Sequence, residues 1–222
     1  MIGDLIGGII NMLTSFNGGF YLAAYLIGGI PFGYLLAKYV AGVNVKEAGS
    51  GNIGATNVLR VLKEKDPKLA KKLGALTLFL DAIKGAVVIL IAKYMGASEF
   101  TLWSIAVFAV IGHCYSPFLN FEGGKGVATG FGVLAALIPT AALIAVAIWA
   151  FSAKVLKISS LSSLIGLLSI IVSSYFLYPN GLPGINTYTP LYVIAFIIFY
   201  KHIPNIKRLI TKEEGRVVWQ LR

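Results

Sequence analysis

Three stretches of this sequence combine glycine, side-chain hydroxyls or amides and fixed positive charge, a mixture that suits a bound phosphate. The first is "AGSGNIGATNVLR", residues 48–60. Gly49, Gly51 and Gly54 permit backbone angles closed to other residues, and successive N–H groups in such a turn form an anion-binding concavity. Ser50, Asn52, Thr56 and Asn57 add side-chain donors, and Arg60 ends the run with a fork that matches phosphate. The second is "GHCYSPFLNFEGGKGVATG", residues 112–130, where Gly123, Gly124 and Gly126 flank Lys125 and a helix is expected to begin just after, its positive dipole end towards an anion. Glu122 stands where it can anchor this loop. The third, "KHIPNIKRL", residues 201–209, carries His202, Asn205 one helical turn on, and Arg208, spaced to share a face. Each charged hydrogen bond to phosphate contributes about 1.5–3 kcal/mol.

Plainer readings compete with these. Glycine in a membrane helix often serves close packing alone, which is sufficient for Gly28, Gly29, Gly33, Gly130 and Gly132. Gly49, Gly51 and Gly54 are set among Asn, Ser and Arg, and anion binding accounts for the mixture better than a bare turn does. No GxxxxGK[ST] loop occurs. His113 and Cys114 are adjacent, so on a helix they diverge by about 100° and form no nucleophile dyad. Cys114 is read as core and His113 as a residue that orients the second loop. Asp81 and Lys84 fall in an apolar run at i,i+3 spacing, the signature of a structural ion pair. With one cysteine there is no intrachain disulfide or CxxC site, and no cluster of metal ligands is evident, so neither a metal nor a cofactor is expected.

The elements that must position these residues are membrane helices. Of 222 residues 57% are hydrophobic and 13% charged, and mean hydropathy is +0.81. A soluble domain carries about twice that charge, so the fold class is an all-α polytopic membrane protein in one domain, 1–222. Apolar segments are expected at about 19–40, 73–95, 101–116, 126–138, 140–153, 158–178 and 189–202, the fourth and fifth meeting in a hairpin at Pro139. The net charge of +10 lies mainly in connections, where it reports sidedness and not nucleic-acid binding. Basic residues crowd between the first two segments and after the last, while the connection 175–190 has no charge. Seven spans with the N-terminus outside and the C-terminus inside satisfy this asymmetry and bring the three polar stretches to the cytoplasmic face. Residues 1–16, with Asp4 and no Lys or Arg, do not fit a secretory signal and read as a short accessory or interfacial segment.

Together the three stretches resemble the three signature motifs of the bacterial acyl-phosphate:glycerol-3-phosphate acyltransferases: "GSGNIGATNVLR", "GHCYSPFLNFEGGKGVAT" and "KHIPNIKRL" in that order, with "FLDAIKG" at 79–85 also similar. Lys212 stands where the family's third motif usually has glycine, Glu214 remains, and the basic connection "VLKEKDPKLAKKLG" is longer than usual. The resemblance implies a seven-helix enzyme of the bacterial cytoplasmic membrane. It would transfer an acyl group from acyl phosphate to the sn-1 hydroxyl of glycerol 3-phosphate, releasing lysophosphatidic acid and phosphate. The implied partners are acyl phosphate, glycerol 3-phosphate, membrane lipid and the upstream enzyme that forms the acyl phosphate.

On that reading Ser50, Gly51, Asn52, Gly123, Gly124, Lys125 and Gly126 serve the acyl phosphate. Arg60, His202, Asn205 and Arg208 serve glycerol 3-phosphate, and Thr56, Asn57 and His113 support them. The sequence does not separate the two phosphate sites, so these assignments can be exchanged. Ser50, Arg60, Lys125, His202 and Asn205 form the catalytic set. The proton acceptor is either His202 or a phosphate oxygen of the substrate, and the absence of a motif carboxylate beside His202 favours the latter. The HxxxxD pair of thioester-dependent acyltransferases is missing: the fifth position after His113 is Phe118 and after His202 is Lys207. The rival function is a carrier for a phosphorylated solute, which would use similar loops but form no product.

Overall fold

Proline and polar caps set the boundaries of the helices in this computed structural model, which describes residues 15–215. Helix α1 (Phe16–Gly29) starts at Ser15, whose Oγ accepts the Gly18 N–H at 3.1 Å. Pro31 then breaks the first apolar run, and α2 (Phe32–Ala41) completes a span of 26 residues. A short helix α3 (Ala55–Leu62) buries Val58, Leu59 and Leu62 on one side. The 28-residue α4 (Pro67–Tyr94) opens with Pro67 in its first turn and Asp66 as cap, accepting from the Lys68 and Leu69 N–H groups. After it come α5 (Glu99–Cys114), a 3-10 turn (Pro117–Leu119), α6 (Val127–Leu137), α7 (Pro139–Leu156), α8 (Ser159–Leu177), α9 (Thr189–Lys201) and α10 (Ile203–Ile210).

Apolar helical segments therefore stand at all seven expected positions, and the hairpin at Pro139 is present as the α6–α7 junction. Five segments are long and apolar enough to cross a membrane, whereas α6 and α9 are shorter, at 11 and 13 residues. An 11-residue helix rises only about 16 Å, roughly half the hydrocarbon thickness. Neighbours shelter it. Gly132 lets α6 lie against α4 so closely that a Cβ would fall 1.8 Å from the Ala82 carbonyl oxygen. Outward-facing Phe151, Phe176 and Phe196 are exposed, as a lipid-facing surface requires. The proposed accessory segment 1–16 lies outside the described residues except for Ser15 and Phe16.

The break at Pro31 frees two backbone carbonyls in an apolar setting, and both are taken up. The Gly29 oxygen accepts from Ser116 Oγ at 2.6 Å and the Ile30 oxygen from Lys84 Nζ at 2.8 Å. Lys84 also donates to Asp81 Oδ1 at 2.7 Å and to His113 Nδ1 at 3.0 Å, so its three ammonium hydrogens have three acceptors. Because Lys84 can only donate, His113 accepts through Nδ1. The ion pair read from i,i+3 spacing is thus the centre of a buried cluster joining α1, α4 and α5. We expect Lys84→Met to lower the unfolding free energy by about 3–5 kcal/mol, because it strands the Asp81 carboxylate. Thermal unfolding in a fixed lipid or detergent checks this, and Asp81→Asn added to Lys84→Met recovers part of the loss.

Candidate functional site

The first polar stretch is folded around Asn57. Its buried side chain donates to the carbonyls of Val45, Ala48 and Asn52 at 2.8–3.0 Å, while its Oδ1 accepts the Ser50 N–H at 2.8 Å. Gly49 adopts φ +63° against this side chain, where a Cβ would sit 2.3 Å from Asn57 Oδ1. Asn52 Oδ1 accepts the Gly54 N–H, and Thr56 Oγ1 pairs with Ser159 Oγ at 3.0 Å. Asn57 and Thr56 therefore shape the loop, and Ser50, Asn52 and Arg60 border open space.

The second stretch doubles back on the end of α5. Gly123 N–H donates to the Cys114 carbonyl at 3.2 Å and Gly124 N–H to the His113 carbonyl at 3.0 Å. A Cβ on Gly124 would fall 2.1 Å from His113 Nε2, so the imidazole and the loop fit only with glycine there. His113 thus braces the loop that carries Lys125. Cys114 is buried in the core, as expected. Glu122 does not brace the glycines. Its carboxylate reaches across to Lys46 at 2.9 Å, tying the second stretch to the segment just before the first.

These bonds correct one expectation. The N–H groups of Ser50, Gly51, Gly54, Gly123 and Gly124 are all hydrogen-bonded within the protein, so they do not form an open anion cradle. The glycines allow the close approaches that aim side chains. The side chains of Ser50, Asn52, Arg60 and Lys125 border the open space instead.

In the third stretch His202 is buried, and its Nδ1–H donates to the Ile198 carbonyl at 2.7 Å, which leaves Nε2 as the acceptor of the neutral ring. Burial pushes the imidazole down to about 4, with Lys125 adding to the depression against the opposing Ile198 bond and Glu214. Asn205 donates to Glu214 Oε1 at 2.6 Å, and its buried Oδ1 has no partner among the described residues. Arg208 Nε donates to Glu214 Oε2 at 2.7 Å and Ser160 Oγ to Glu214 Oε1 at 2.7 Å. Burial works against the charged Glu214, yet the Ser160, Arg208 and Asn205 hydrogen bonds hold its carboxyl below the usual range.

All three stretches meet at one cavity of about 410 Å³, bordered by Ser50, Asn52, Arg60, Lys125, His202, Asn205, Arg208 and Glu214. Lys125 is drawn down to about 8, chiefly by burial and also by Arg208 and Arg60, against an opposing Glu214. A phosphate dianion offsets that crowding of cations. Gly126 borders the same cavity, whereas Gly51 and Gly123 border a second one. Leu78, Val127, Ala128, Trp149 and Ser163 line both the polar cavity and an apolar groove of about 380 Å³ between α4, α6, α7 and α8. At this seam Trp149 Nε1 is buried without an acceptor among the described residues. Ser159 and Ser160, at the start of α8, were read from the sequence only as part of a span. The signal was available in "ISSLSSL", a serine-rich entry to an otherwise apolar helix. Among the described residues no group of three His, Cys, Asp or Glu side chains lies together as a metal site.

The chain is similar to known proteins along most of its length. A family model described as glycerol-3-phosphate acyltransferase matches residues 19–212. A glycerol-3-phosphate acyltransferase from Wolinella succinogenes is 58% identical over 208 residues, covering 94% of this chain and 100% of that protein. One from Aliarcobacter butzleri is 60% identical over 208 residues with the same coverage. The crystal structure of PlsY (YgiH), an integral membrane glycerol 3-phosphate acyltransferase, matches in its glycerol 3-phosphate form with TM-score 0.80 at 38% identity, over 91% of this chain and 96% of that one. Its lysophosphatidic acid form matches with TM-score 0.78, also at 38% identity, over 91% and 95%.

Proposed function

The chain belongs to the glycerol-3-phosphate acyltransferase family of integral membrane enzymes, and from that premise we propose that its acyl donor is a fatty acyl phosphate and its acceptor the sn-1 hydroxyl of glycerol 3-phosphate. One observation carries the proposal: a cation-lined cavity large enough for phosphates runs into an apolar groove. An acyl phosphate is itself a phosphate joined to an apolar chain, and the lack of an HxxxxD pair argues against a thioester.

The chain lies in the groove and the phosphate beside Lys125, Ser50 and Asn52, which puts the carbonyl at the Trp149 seam. Arg60 and Arg208 attract the phosphate of glycerol 3-phosphate. The two unpartnered acceptors, His202 Nε2 and Asn205 Oδ1, suit its hydroxyl hydrogens. The sn-1 oxygen attacks the carbonyl carbon, the bond from that carbon to the phosphate oxygen breaks, and orthophosphate leaves. The hydroxyl proton passes to a phosphate oxygen of the substrate, because an imidazole depressed to about 4 is a weak acceptor at neutral pH. Charge stabilisation and alignment supply the rate. The basic connections favour the cytoplasmic side of the bacterial membrane for this end of the bundle, with the N-terminus opposite, and an upstream enzyme would deliver the labile donor to the cytoplasmic end.

The test supplies purified protein with labelled glycerol 3-phosphate and either palmitoyl phosphate or palmitoyl-CoA. Lysophosphatidate from the phosphate donor alone is expected. Product from the thioester overturns the donor assignment, and unchanged substrate with both donors moves the reading to a carrier.

A further inference from the structure

Beside the reacting cavity lies a second one of about 400 Å³, and it shares Ser50, Asn52, Lys125, Asn205 and Arg208 with the first. Among the described residues, none that lines it borders the apolar groove and no carboxylate lines it. It meets the apolar groove only by way of the first cavity, which shares lining residues with both. Its one cation not shared with the first cavity is Lys201, the last residue of α9. Lys201 Nζ rests 4.8 Å above the centre of the Tyr115 ring, a contact that holds a cation without neutralising it. Glu122 lies within electrostatic reach of Lys201, but its carboxylate is already paired with Lys46.

We infer that this second chamber is a phosphate port, with Lys201 as a ligand for a phosphate dianion that carries no acyl chain. The inference rests on the acyl-phosphate reading for its role in turnover. When transfer is complete, orthophosphate is left beside Lys125 while the acylated product fills the groove. The chamber offers the dianion a second cation on the groove-free side. Glycerol 3-phosphate presents the same dianion on its way in, and the two sources are separable by experiment. Lys201 takes no part in the reacting geometry, because it does not border the first cavity.

The experiment compares Lys201→Gln and Lys201→Arg with the parent protein in one lipid mixture, reading inhibition by inorganic phosphate, KM for glycerol 3-phosphate, and kcat. Losing one charge-assisted hydrogen bond predicts about a tenfold rise in the phosphate inhibition constant for Lys201→Gln, with kcat held within about twofold. Lys201→Arg restores the parent value and shows that charge, not packing on Tyr115, is responsible. A tenfold rise in KM with unchanged inhibition identifies incoming glycerol 3-phosphate as the occupant. If neither constant moves, or only kcat falls, the port is refuted. Calorimetry with inorganic phosphate needs no acyl donor. Unchanged phosphate affinity together with an unchanged KM in Lys201→Gln overturns the port, whereas weakened affinity in a protein that turns over no acyl phosphate overturns the donor and keeps the port.

Discussion

Lys125→Met is expected to lower kcat/KM for glycerol 3-phosphate about 10³-fold, the upper range for removing one preorganised donor from a reacting centre. The ammonium is common to both polar cavities, and the loop that carries it is braced by His113. Nothing nearby can replace it, because Arg208 is engaged by Glu214 and Arg60 lines only the first cavity. The parent protein should also show a limb in kcat/KM above about pH 8. Lys125 is depressed to about 8, so the free enzyme loses this cation as pH rises through that value, and phosphate affinity falls with it. The sign is opposite to that of the substrate, whose second ionisation near pH 6 strengthens binding as pH rises. Steady-state rates from pH 6.5 to 9.5 check the profile, and Lys125→Met should lack the alkaline limb. A limb that persists in the variant assigns it to another group.

His202 provides the second large effect and separates two mechanisms. His202→Ala should reduce kcat about 10²–10⁴-fold whether the ring is a base or a positioning group. His202→Gln distinguishes them. A glutamine retains a hydrogen-bonding side chain of similar reach but cannot take a proton at neutral pH. With the substrate phosphate as acceptor, His202→Gln should keep kcat within about tenfold of the parent, and a loss as deep as that of alanine would reinstate the histidine base. Acidification gives an independent readout on stability. The folded ring titrates near 4 and the unfolded ring near 6.5, so the unfolded chain binds more protons between those values. His202 therefore contributes no penalty above about pH 6.5 and destabilises progressively as pH falls towards 4, a slope that His202→Gln should remove.

The sequence was most legible where chemistry and hydropathy agree. Composition led to the places of the apolar segments, and the charge asymmetry together with Pro139 led to the α6–α7 hairpin. The polar stretches converge as their shared spacing and sidedness required. Less legible was how glycine acts. Gly123 and Gly124 read as an anion cradle, but their amides are committed to α5, which only the approach of two non-adjacent backbones could reveal. Glu214 lies just beyond the third stretch, and its partners Ser160, Asn205 and Arg208 come together only when α8 and α10 meet. Trp149 falls inside the expected segment 140–153, where the sequence assigns it no role. Its place at the seam depends on the rotation of α7, which a hydropathy run with no sharp polar face does not specify.

The acceptors around Lys84 also bear on how the chain enters the bilayer during synthesis. Its three partners are encoded before it, beside it and after it: the Ile30 carbonyl, Asp81 and His113. An emerging α4 carries two charges whose insertion costs about 2.5–3.5 kcal/mol each when isolated. Only Ile30 and Asp81 are available at that moment, and the imidazole arrives 29 residues later. The full acceptor set of Lys84 therefore exists only once α5 has been made, which couples the settling of α4 in the bilayer to that of α5.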